Sequence, residues 1–470
     1  MIDSHDLAEW GIDHALSSGA SYAEARVISG QKTGFFLRNG SLISGSQTPW
    51  KGIGFRVLVD GGLGFCSVEQ LTKKNTKAAL DASIKIARMS NPKHKIDFGE
   101  AISNEAKWKV DFKEDLADID NETIITLLKE MDVKAEEHQI NSRTNIFEAH
   151  RYKKYLVTSE GTKIYADLSM LKYLGILSCK GKLDTEQRMI DLTRSTGWEG
   201  TKTWIDTFET EAAKLAKTAQ YSEKKLTGVV DFVISPEIAG IIAHENAGHP
   251  SEGDRIMGRE GAQAGESYWR DLKLGESRVG TEHVTVCDDP TIPGTGGFYL
   301  YDDEGVEARK RILIKEGILN EPLLNREYGI YFGLGTNGAA RSQNFDREPI
   351  IRMANTYFAP GDFSFDDLVE DIKKGIYMIS FSEWNIDDRR YQSKYVGQEC
   401  YLIENGEVTD TMVRRPAIET TTISLFSAVD GVSKELMFDF LGICGKSDPK
   451  QGVPVYAGGG FIRLRNIKIT

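Results

Sequence analysis

The sequence has few cysteines, and no two of them are close together. The 470 residues include five cysteines and no Cys-x-x-Cys spacing. They are Cys66, Cys179, Cys287, Cys400 and Cys444. An odd number of scattered cysteines argues against a disulfide framework and a four-cysteine zinc knuckle, so most are expected to be buried apolar side chains. Cys444 is the exception, because Gly442 and Gly445 predict a tight turn that exposes its sulfur.

The sequence also lacks long apolar runs and an excess of basic charge. No run approaches the ~18 residues that a membrane span needs, and the N-terminal residues lack the pattern of a signal peptide. The 58 Lys and Arg residues face 70 Asp and Glu residues, which gives a net charge of −12. Nucleic-acid and membrane-surface binders usually carry a basic patch. We therefore expect a cytoplasmic protein that binds neither nucleic acid nor membrane. Two arginine pairs, Arg389-Arg390 and Arg414-Arg415, are expected to be solvated or paired.

Periodicity predicts two α/β domains in the first half of the chain. The composition, 40% apolar and 27% charged, is ordinary for a globular protein of two or three domains. Residues 1–95 predict an N-terminal α/β domain, with Asn39-Gly40 as a hairpin turn. Its helices are predicted at 7–18 and 72–89, and its strands at 22–29, 32–38 and 52–59. Residues 91–109 predict a polar linker.

The remainder predicts a middle domain and a β-rich C-terminal domain. Residues 110–225 read as a middle α/β domain, with helices predicted at 121–138 and 203–218 and strands at 142–158 and 165–179. Residues 227–470 are rich in glycine and predict short strands separated by turns, with a short metal-binding helix near the start. The expected fold class is therefore α+β.

The most informative segment is His244-Glu-Asn-Ala-Gly-His249. Zinc proteases carry His-Glu-x-x-His, which places two histidines on one face of a helix beside a catalytic glutamate. Here one extra residue separates the histidines. On an unbroken α-helix, positions five apart point about 140° away from each other. Either the helix ends between the two histidines, or the motif is accidental.

The flanking residues favour a helix that ends at the motif. Ser235 is a good N-cap and Pro236 a good first residue, and the strand-like run at 229–234 precedes them. Gly248 is expected to take a positive φ and to end the helix, and Pro250 prevents its continuation. His249 would then fold back toward His244 from a loop. The alternative, that these residues only cap a helix, has about equal weight from spacing alone.

Two acidic segments follow the motif. In Ser251-Glu-Gly-Asp-Arg255, the carboxylates are candidates to orient a metal-bound imidazole, although a surface loop is slightly favoured for any one of them. Asp302-Asp-Glu-Gly305 lacks the spacing of an EF-hand and is expected to be a capped turn.

Taken in order, several segments resemble the TldD/PmbA family, whose active members are metalloproteases, and specifically its TldD branch. The matching segments are residues 21–26, 52–58, 62–65, 244–249, 252–254, 302–305, 314–319, 352–357, 360–361, 401–406, 444–446 and 453–455. Many matches in order are more specific than one short motif. The segment at 380–384, which ends in Trp384, departs from relatives that are glycine-rich there.

The resemblance implies a zinc site of His-Glu-x-x-x-His plus a distant cysteine. In this chain the ligands of one Zn²⁺ are then His244, His249 and Cys444, and a fourth position stays open for water. Glu245 becomes the general base in peptide hydrolysis. The family also implies an unfolded or short peptide, extended in a narrow cleft and read through its backbone. The expected partner chain is a second copy or a related family member without the metal motif.

The alternative is a zinc-stabilised subunit of the same family that binds peptides or acts as a scaffold without hydrolysis. It would use the same ligands with the open position closed or the cleft blocked. The presence of Glu245 beside a metal histidine favours the enzyme, because a purely structural zinc site needs no base.

Overall fold

The computed structural model describes residues 3–90, 95–221, 224–261, 265–440 and 442–469. Helix makes up 25% and strand 40% of the chain, arranged in several sheets, which confirms the mixed α and β fold class. Among the described residues, no helix is long and apolar enough to cross a membrane.

Long strands form one sheet in the N-terminal half. They are β1 (Tyr22–Arg38), β2 (Ser41–Val59), β3 (Gly62–Val68), β4 (Glu105–Lys109), β5 (Ser142–Thr158), β6 (Lys163–Lys180) and β7 (Thr185–Asp191). Their order is β3-β2-β1-β5-β6-β4, and β7 pairs with the same edge of β6 as β4. Because β1 pairs with β5, the regions 1–95 and 110–225 contribute to one continuous sheet. The division at 1–95, 110–225 and 227–470 stays a prediction.

Four helices of the described N-terminal half cover one face of this sheet. They are α1 (Ser4–Ser17), α2 (Lys73–Ser90), α3 (Asn121–Glu137) and α4 (Trp204–Tyr221). The first two pack on the end formed by β1 to β3, and the last two on the end formed by β5 to β7. The apolar stripes that predicted helices therefore meet the apolar face of the sheet.

Three predicted features of the N-terminal half are wrong. The strands predicted at 22–29 and 32–38 are one strand, β1, in which Gly30 lets the neighbouring Tyr152 approach its backbone closely. Strand β2 begins at Ser41, because its polar first half pairs with β1 in a long exposed hairpin. The linker predicted at 91–109 contains strand β4, which extends the sheet beside β6; residues 91–94 lie outside the described residues.

The hairpin turn at Asn39-Gly40 is confirmed, since it joins β1 to β2 with φ of 46° and 72° at the two residues. Both values lie in the left-handed region that an Asn-Gly turn supplies.

The C-terminal region contains short helices and many short strands. The helices are α5 (Pro236–Ile242), α6 (Gly253–Ile256), α7 (Arg326–Phe332), α8 (Phe365–Val369) and α9 (Thr422–Ser427). The first strands are β8 (Gly228–Ile234), β9 (Val286–Asp288), β10 (Arg311–Lys315), β11 (Ile318–Leu319), β12 (Ala340–Arg341), β13 (Ile350–Ile351), β14 (Asn355–Phe358), β15 (Lys374–Met378), β16 (Phe381–Ile386) and β17 (Gln392–Gly397). The later strands are β18 (Cys400–Glu404), β19 (Glu407–Met412), β20 (Ala417–Thr421), β21 (Val429–Val432), β22 (Met437–Phe440), β23 (Ile443–Lys446), β24 (Gln451–Pro454), β25 (Tyr456–Gly459) and β26 (Ile462–Ile469).

Two sheets dominate this region and enclose α5. The larger has the described order β16-β17-β20-β26-β8-β15-β18-β19, with β21 also on β26; the smaller has the order β11-β10-β9-β14-β25-β22. Helix α5 follows β8 directly and packs on β25, where Gly240 lies against the backbone of Gly458. A side chain at Gly240 would push helix and sheet apart. This close packing fixes the position of the segment that follows α5.

Buried ion pairs join the two halves of the chain. Arg56 of β2 donates to Glu304 at 2.9 Å, and Lys154 of β5 pairs with Asp303 at 2.6 Å. These acidic residues belong to segment 302–305, which forms a turn as predicted. The turn is buried. These ion pairs therefore connect strands β2 and β5 of the first half to this turn of the C-terminal region.

Candidate metal centre

Helix α5 begins as its sequence predicts. The side chain of Ser235 caps the helix by accepting from the amide of Ile238, and Pro236 occupies the first turn. Glu237, also in the first turn, receives two hydrogen bonds of 2.7 Å from Arg188 of β7. The N-terminal sheet therefore holds the start of the motif helix.

The helix does not end at the motif, which corrects the prediction. After Ile242 it widens into a π turn over Ala243–Gly248, and the amide of His249 donates to the carbonyl of His244. A hydrogen bond between residues i and i+5 is the defining bond of a π turn, so residues five apart come to lie on about the same face. The spacing that is wrong for an α-helix is therefore right for this turn.

Gly248 is also not the left-handed helix end that was expected. Its φ is −60°, an ordinary helical value, and the chain continues into a 3₁₀ turn over His249–Ser251. A Cβ at this position would overlap the sulfur of Met353. Glycine is needed here because the π turn packs tightly against its neighbour, rather than because of its φ.

The three predicted ligands come together. The candidate ligand atoms of His244, His249 and Cys444 all lie within 4.8 Å of one another, although Cys444 is 195 residues from His249 in sequence. Nε2 of His249 is 3.4 Å from Sγ of Cys444, and the two imidazole rings meet edge to face at 4.8 Å. All three side chains are buried. Two imidazoles and a thiol are donors that transition metals such as zinc prefer, and here they lie close enough together to form a candidate site for one ion.

Strand β23 delivers Cys444, and the sulfur is not exposed as predicted. Only 7% of the residue is accessible. Arg352 fixes the strand by donating to the carbonyl of Cys444 at 2.6 Å and to that of Gln451, on the paired strand β24, at 2.9 Å. Neither Gly442 nor Gly445 has a positive φ, so the predicted tight turn is absent from these two described positions. The flanking glycines instead admit close neighbours.

Glu252 orients one imidazole, and the surface loop favoured from the sequence is wrong. Its carboxylate accepts from Nδ1 of His249 at 3.0 Å and from Nε of Arg255 at 2.8 Å, and Lys446 lies 3.3 Å away. Glu252 is fully buried. Because an ionised carboxylate only accepts, Nδ1 of His249 donates to it, and Nε2 is the ring atom that faces Cys444. The pKa of Glu252 is far below its usual value: burial raises it, but Lys446 and the other cations lower it more.

Both oxygens of Glu245 are held by residues that the sequence did not identify. Nε1 of Trp384 donates to one oxygen at 3.2 Å, and Nη1 of Arg390 donates to the other at 2.7 Å. Burial raises the pKa of Glu245, yet Arg390, the two imidazoles and the Trp384 hydrogen bond together more than offset it and leave the pKa below its ordinary value. The available signals were the unusual segment ending in Trp384 and the arginine pair at 389–390, but neither indicated its partner.

The low pKa of the Cys444 thiol favours metal binding by the cluster. Burial raises the pKa of the Cys444 thiol, but the imidazoles of His249 and His244 lower it well below its usual value. The thiolate is the form that binds metal. Nδ1 of His244 is buried and has no hydrogen-bond partner among the described residues, so this ring is not held by a second group as His249 is. The residues present therefore fit a metal ion.

A cleft of about 790 Å³ reaches the centre from the N-terminal sheet. Its walls come from the sheet face opposite the helices and from the C-terminal region. Trp384, which holds Glu245, and Ile443, which precedes Cys444, line one end. The cleft therefore borders the metal cluster through the residue that holds Glu245 and the neighbour of Cys444.

Known proteins share both the sequence pattern and the fold. The family model for the PmbA/TldA metallopeptidase C-terminal domain matches residues 227–470, and that for domain 1 matches residues 23–88. A metalloprotease of Methanocaldococcus jannaschii is 32% identical over 96% of this chain and 97% of its own. A zinc metalloprotease TldD homolog of Saccharolobus solfataricus is 28% identical over 97% of this chain and 98% of its own. The crystal structure of TldE from Thermococcus kodakarensis has a TM-score of 0.76 at 16% identity, covering 99% of each chain, which shows a common fold.

The fold, the buried His-His-Cys cluster and the adjacent glutamate together define a protein of the metallopeptidase class. The long match to the C-terminal domain model and the relative at 32% identity identify the family within that class. The chain belongs to the TldD/PmbA family of metalloproteases, as the ordered sequence segments predicted.

Proposed function

We propose that this chain is a zinc-dependent peptidase that hydrolyses peptide bonds in unfolded or short peptides. The observation that carries the proposal is the meeting of His244, His249 and Cys444 within 4.8 Å. Glu245 is the third residue of the π turn that carries His244. The printed name of the Saccharolobus solfataricus relative, a zinc metalloprotease, supports zinc as the metal.

The three ligands favour zinc and leave one position for chemistry. Catalytic zinc sites have three protein ligands, whereas structural sites have four. When bound there, zinc would polarise the peptide carbonyl and make water more acidic. The thiolate donates more charge than a third imidazole would, so a fast and indiscriminate protease is not expected. Glu252 and Arg352 would hold His249 and Cys444 in place without touching the substrate.

Glu245 would act as the general base and then as the general acid. It would take a proton from the attacking water and give it to the leaving amine. Arg390 keeps its carboxylate ionised, and Trp384 with Arg390 fixes its orientation. A fixed, ionised carboxylate at the end of the cleft is what this role needs.

The shape of the cleft restricts the substrate. A folded protein does not fit a cavity of about 790 Å³, whereas an extended segment of a few residues does. An extended peptide would be bound mainly through its backbone, which gives affinity with little side-chain selectivity. We further propose that the chain works as a homodimer, or as a heterodimer with a related family member that lacks the metal motif.

Metal content measured together with cleavage tests the proposal. The purified chain would be compared with Cys444→Ser and His249→Ala, using an unstructured peptide as substrate. We expect about one zinc per chain in the wild type, with zinc and cleavage lost together in both variants. Zinc retained by Cys444→Ser would reject the ligand set. Zinc without cleavage, in the presence of candidate partner chains, would favour a zinc-stabilised binding or scaffold subunit.

A further inference from the structure

The wall of the cleft formed by the N-terminal sheet carries charges that hydrolysis does not use. Lys32, Trp50, Glu148, His150 and Lys172 all line the cleft, and we call them the cationic wall. Nε2 of His150 lies 2.9 Å from the Glu148 carboxylate, and Nζ of Lys172 lies 3.7 Å from it. The ammonium of Lys32 sits 3.7 Å from the centre of the Trp50 ring.

The cationic wall has more positive than negative charge. Burial lowers the pKa of His150 to about 4, so this imidazole is neutral at physiological pH. Glu148, whose pKa is lowered to about 2 chiefly by His150, is then the one ionised group of the wall that faces Lys32 and Lys172. The pKa of each lysine is lowered, first by burial, and the charge of Lys32 further lowers that of Lys172. A second carboxylate would relieve this repulsion.

Other carboxylates balance the charge of these lysines only in part: Asp191 acts on Lys172 and Asp346 on Lys32, and burial raises the pKa of Asp191. In the described lining of the cleft, five Lys and Arg side chains face four Asp and Glu side chains, in a chain whose net charge is −12. Lys154 and Asp303 neutralise each other at 2.6 Å. Burial raises the pKa of Asp302 to about 8, so that group is largely uncharged at pH 7. The cleft is therefore positive within an acidic protein.

Asp191 lies between the cationic wall and the strand that carries Cys444. Asp191 lies within electrostatic range of Lys172 and accepts from the amide of Thr193 at 2.9 Å. A Cβ at Gly442 would overlap the carboxylate of Asp191, so the two touch. Gly442 stands two residues before Cys444. The cationic wall and the residues beside Cys444 therefore line the same cleft.

We propose that the cationic wall is a substrate subsite for carboxylate groups, so that the preferred substrates are acidic peptides. This inference rests on the proposed peptidase function and names its substrate class. A carboxylate entering here would make charge-assisted hydrogen bonds to Lys32 and Lys172 in a partly desolvated site. Trp50 would pack against the methylene groups of a glutamate side chain. The carboxylate comes from an acidic side chain or from the C-terminus of the peptide.

Equilibrium binding to Glu245→Gln, loaded with zinc, tests the subsite apart from hydrolysis. The probes are fluorescein-labelled unstructured dodecapeptides that carry three glutamates or three glutamines, each with a free or an amidated C-terminus. We expect the glutamate peptide to bind about tenfold more tightly at low salt, with the difference falling as salt is added. A preference that follows only the free C-terminus assigns the subsite to the terminal carboxylate. Equal binding of all four probes overturns the proposal.

Charge variants locate the site. Lys32→Gln and Lys172→Gln, made in the Glu245→Gln background, are each expected to remove most of the preference, whereas Lys32→Arg retains it. Lys85→Gln is the matched control, because Lys85 is exposed on α2, the other side of the sheet. A preference that survives both glutamine variants overturns the assignment. If the wild type binds the acidic probe preferentially but cleaves no probe, the subsite stands and the peptidase function fails.

Discussion

Glu252→Gln tests whether the carboxylate behind His249 sets the metal affinity. The wild-type carboxylate accepts from Nδ1 of His249 at 3.0 Å and lies 3.3 Å from Lys446. Glutamine keeps the shape of the side chain but removes the charge that fixes the imidazole. Loss of such an outer partner typically weakens metal binding by about 10- to 100-fold. That corresponds to about 1.4–2.7 kcal/mol.

The fold should survive this substitution, because its cations keep other partners. Arg255 retains Glu260 at 3.4 Å, and Lys446 retains Asp254 at 2.7 Å. We expect a loss of unfolding free energy of about 1–3 kcal/mol, the range for a buried polar group that loses a partner. Denaturant unfolding of the metal-free chain measures this separately from metal binding.

The assay is zinc competition against a chelating dye of known affinity. Glu260→Gln is the matched control, because it removes the same charge beside Arg255 while Glu252 keeps its hydrogen bond to His249. The expected order of zinc affinity is wild type, then Glu260→Gln close behind it, then Glu252→Gln well below both. Equal affinities in the two variants would refute the reasoning.

Three further predictions follow from single residues. Gly248→Ala should cost about 1–3 kcal/mol of unfolding free energy by overpacking against Met353; a stabilised variant in denaturant unfolding would contradict the steric explanation. Arg352→Met should weaken zinc binding about tenfold in the same dye competition, since it frees the strand that carries Cys444; unchanged affinity would reject that role. Burial raises the pKa of Glu327 from 4.5 to about 7, so the folded chain binds more protons than the unfolded chain in that window and stability falls as pH rises through it. Glu327→Gln should therefore stabilise the chain at pH 8 and change its stability little at pH 4.5. At 1.36 kcal/mol per pKa unit, the gain at pH 8 is at most about 3 kcal/mol. Equal thermal shifts at both pH values would exclude this explanation.

Local signals predicted the elements that depend on neighbours in sequence. Ser235 and Pro236 gave the start of α5, and the Asn39-Gly40 pair gave the turn of the first hairpin, because caps and tight turns are decided within a few residues. The resemblance added Cys444, which no spacing rule connects to a histidine 195 residues away.

The errors have a common physical cause. A π turn is less favourable locally than an α-helical turn and is held by tertiary packing, here against Met353. No local sequence pattern therefore predicts it. The partner of Glu245, Arg390, lies 145 residues away on the β16–β17 connection. Glu252 looked like a loop residue, since only the folded chain buries it between a cation and an imidazole. Such long-range pairs follow from the topology of the sheets rather than from composition.

The central claim is that Glu245 performs the proton transfers of peptide hydrolysis beside a bound zinc ion. The most direct measurement is zinc content and cleavage of one unstructured peptide by the wild type and by Glu245→Gln, purified in parallel. We expect about one zinc per chain in both and a loss of at least about 100-fold in the cleavage rate of the variant, the lower end of what general acid–base catalysis contributes. Full cleavage by Glu245→Gln with zinc still bound would contradict the central claim.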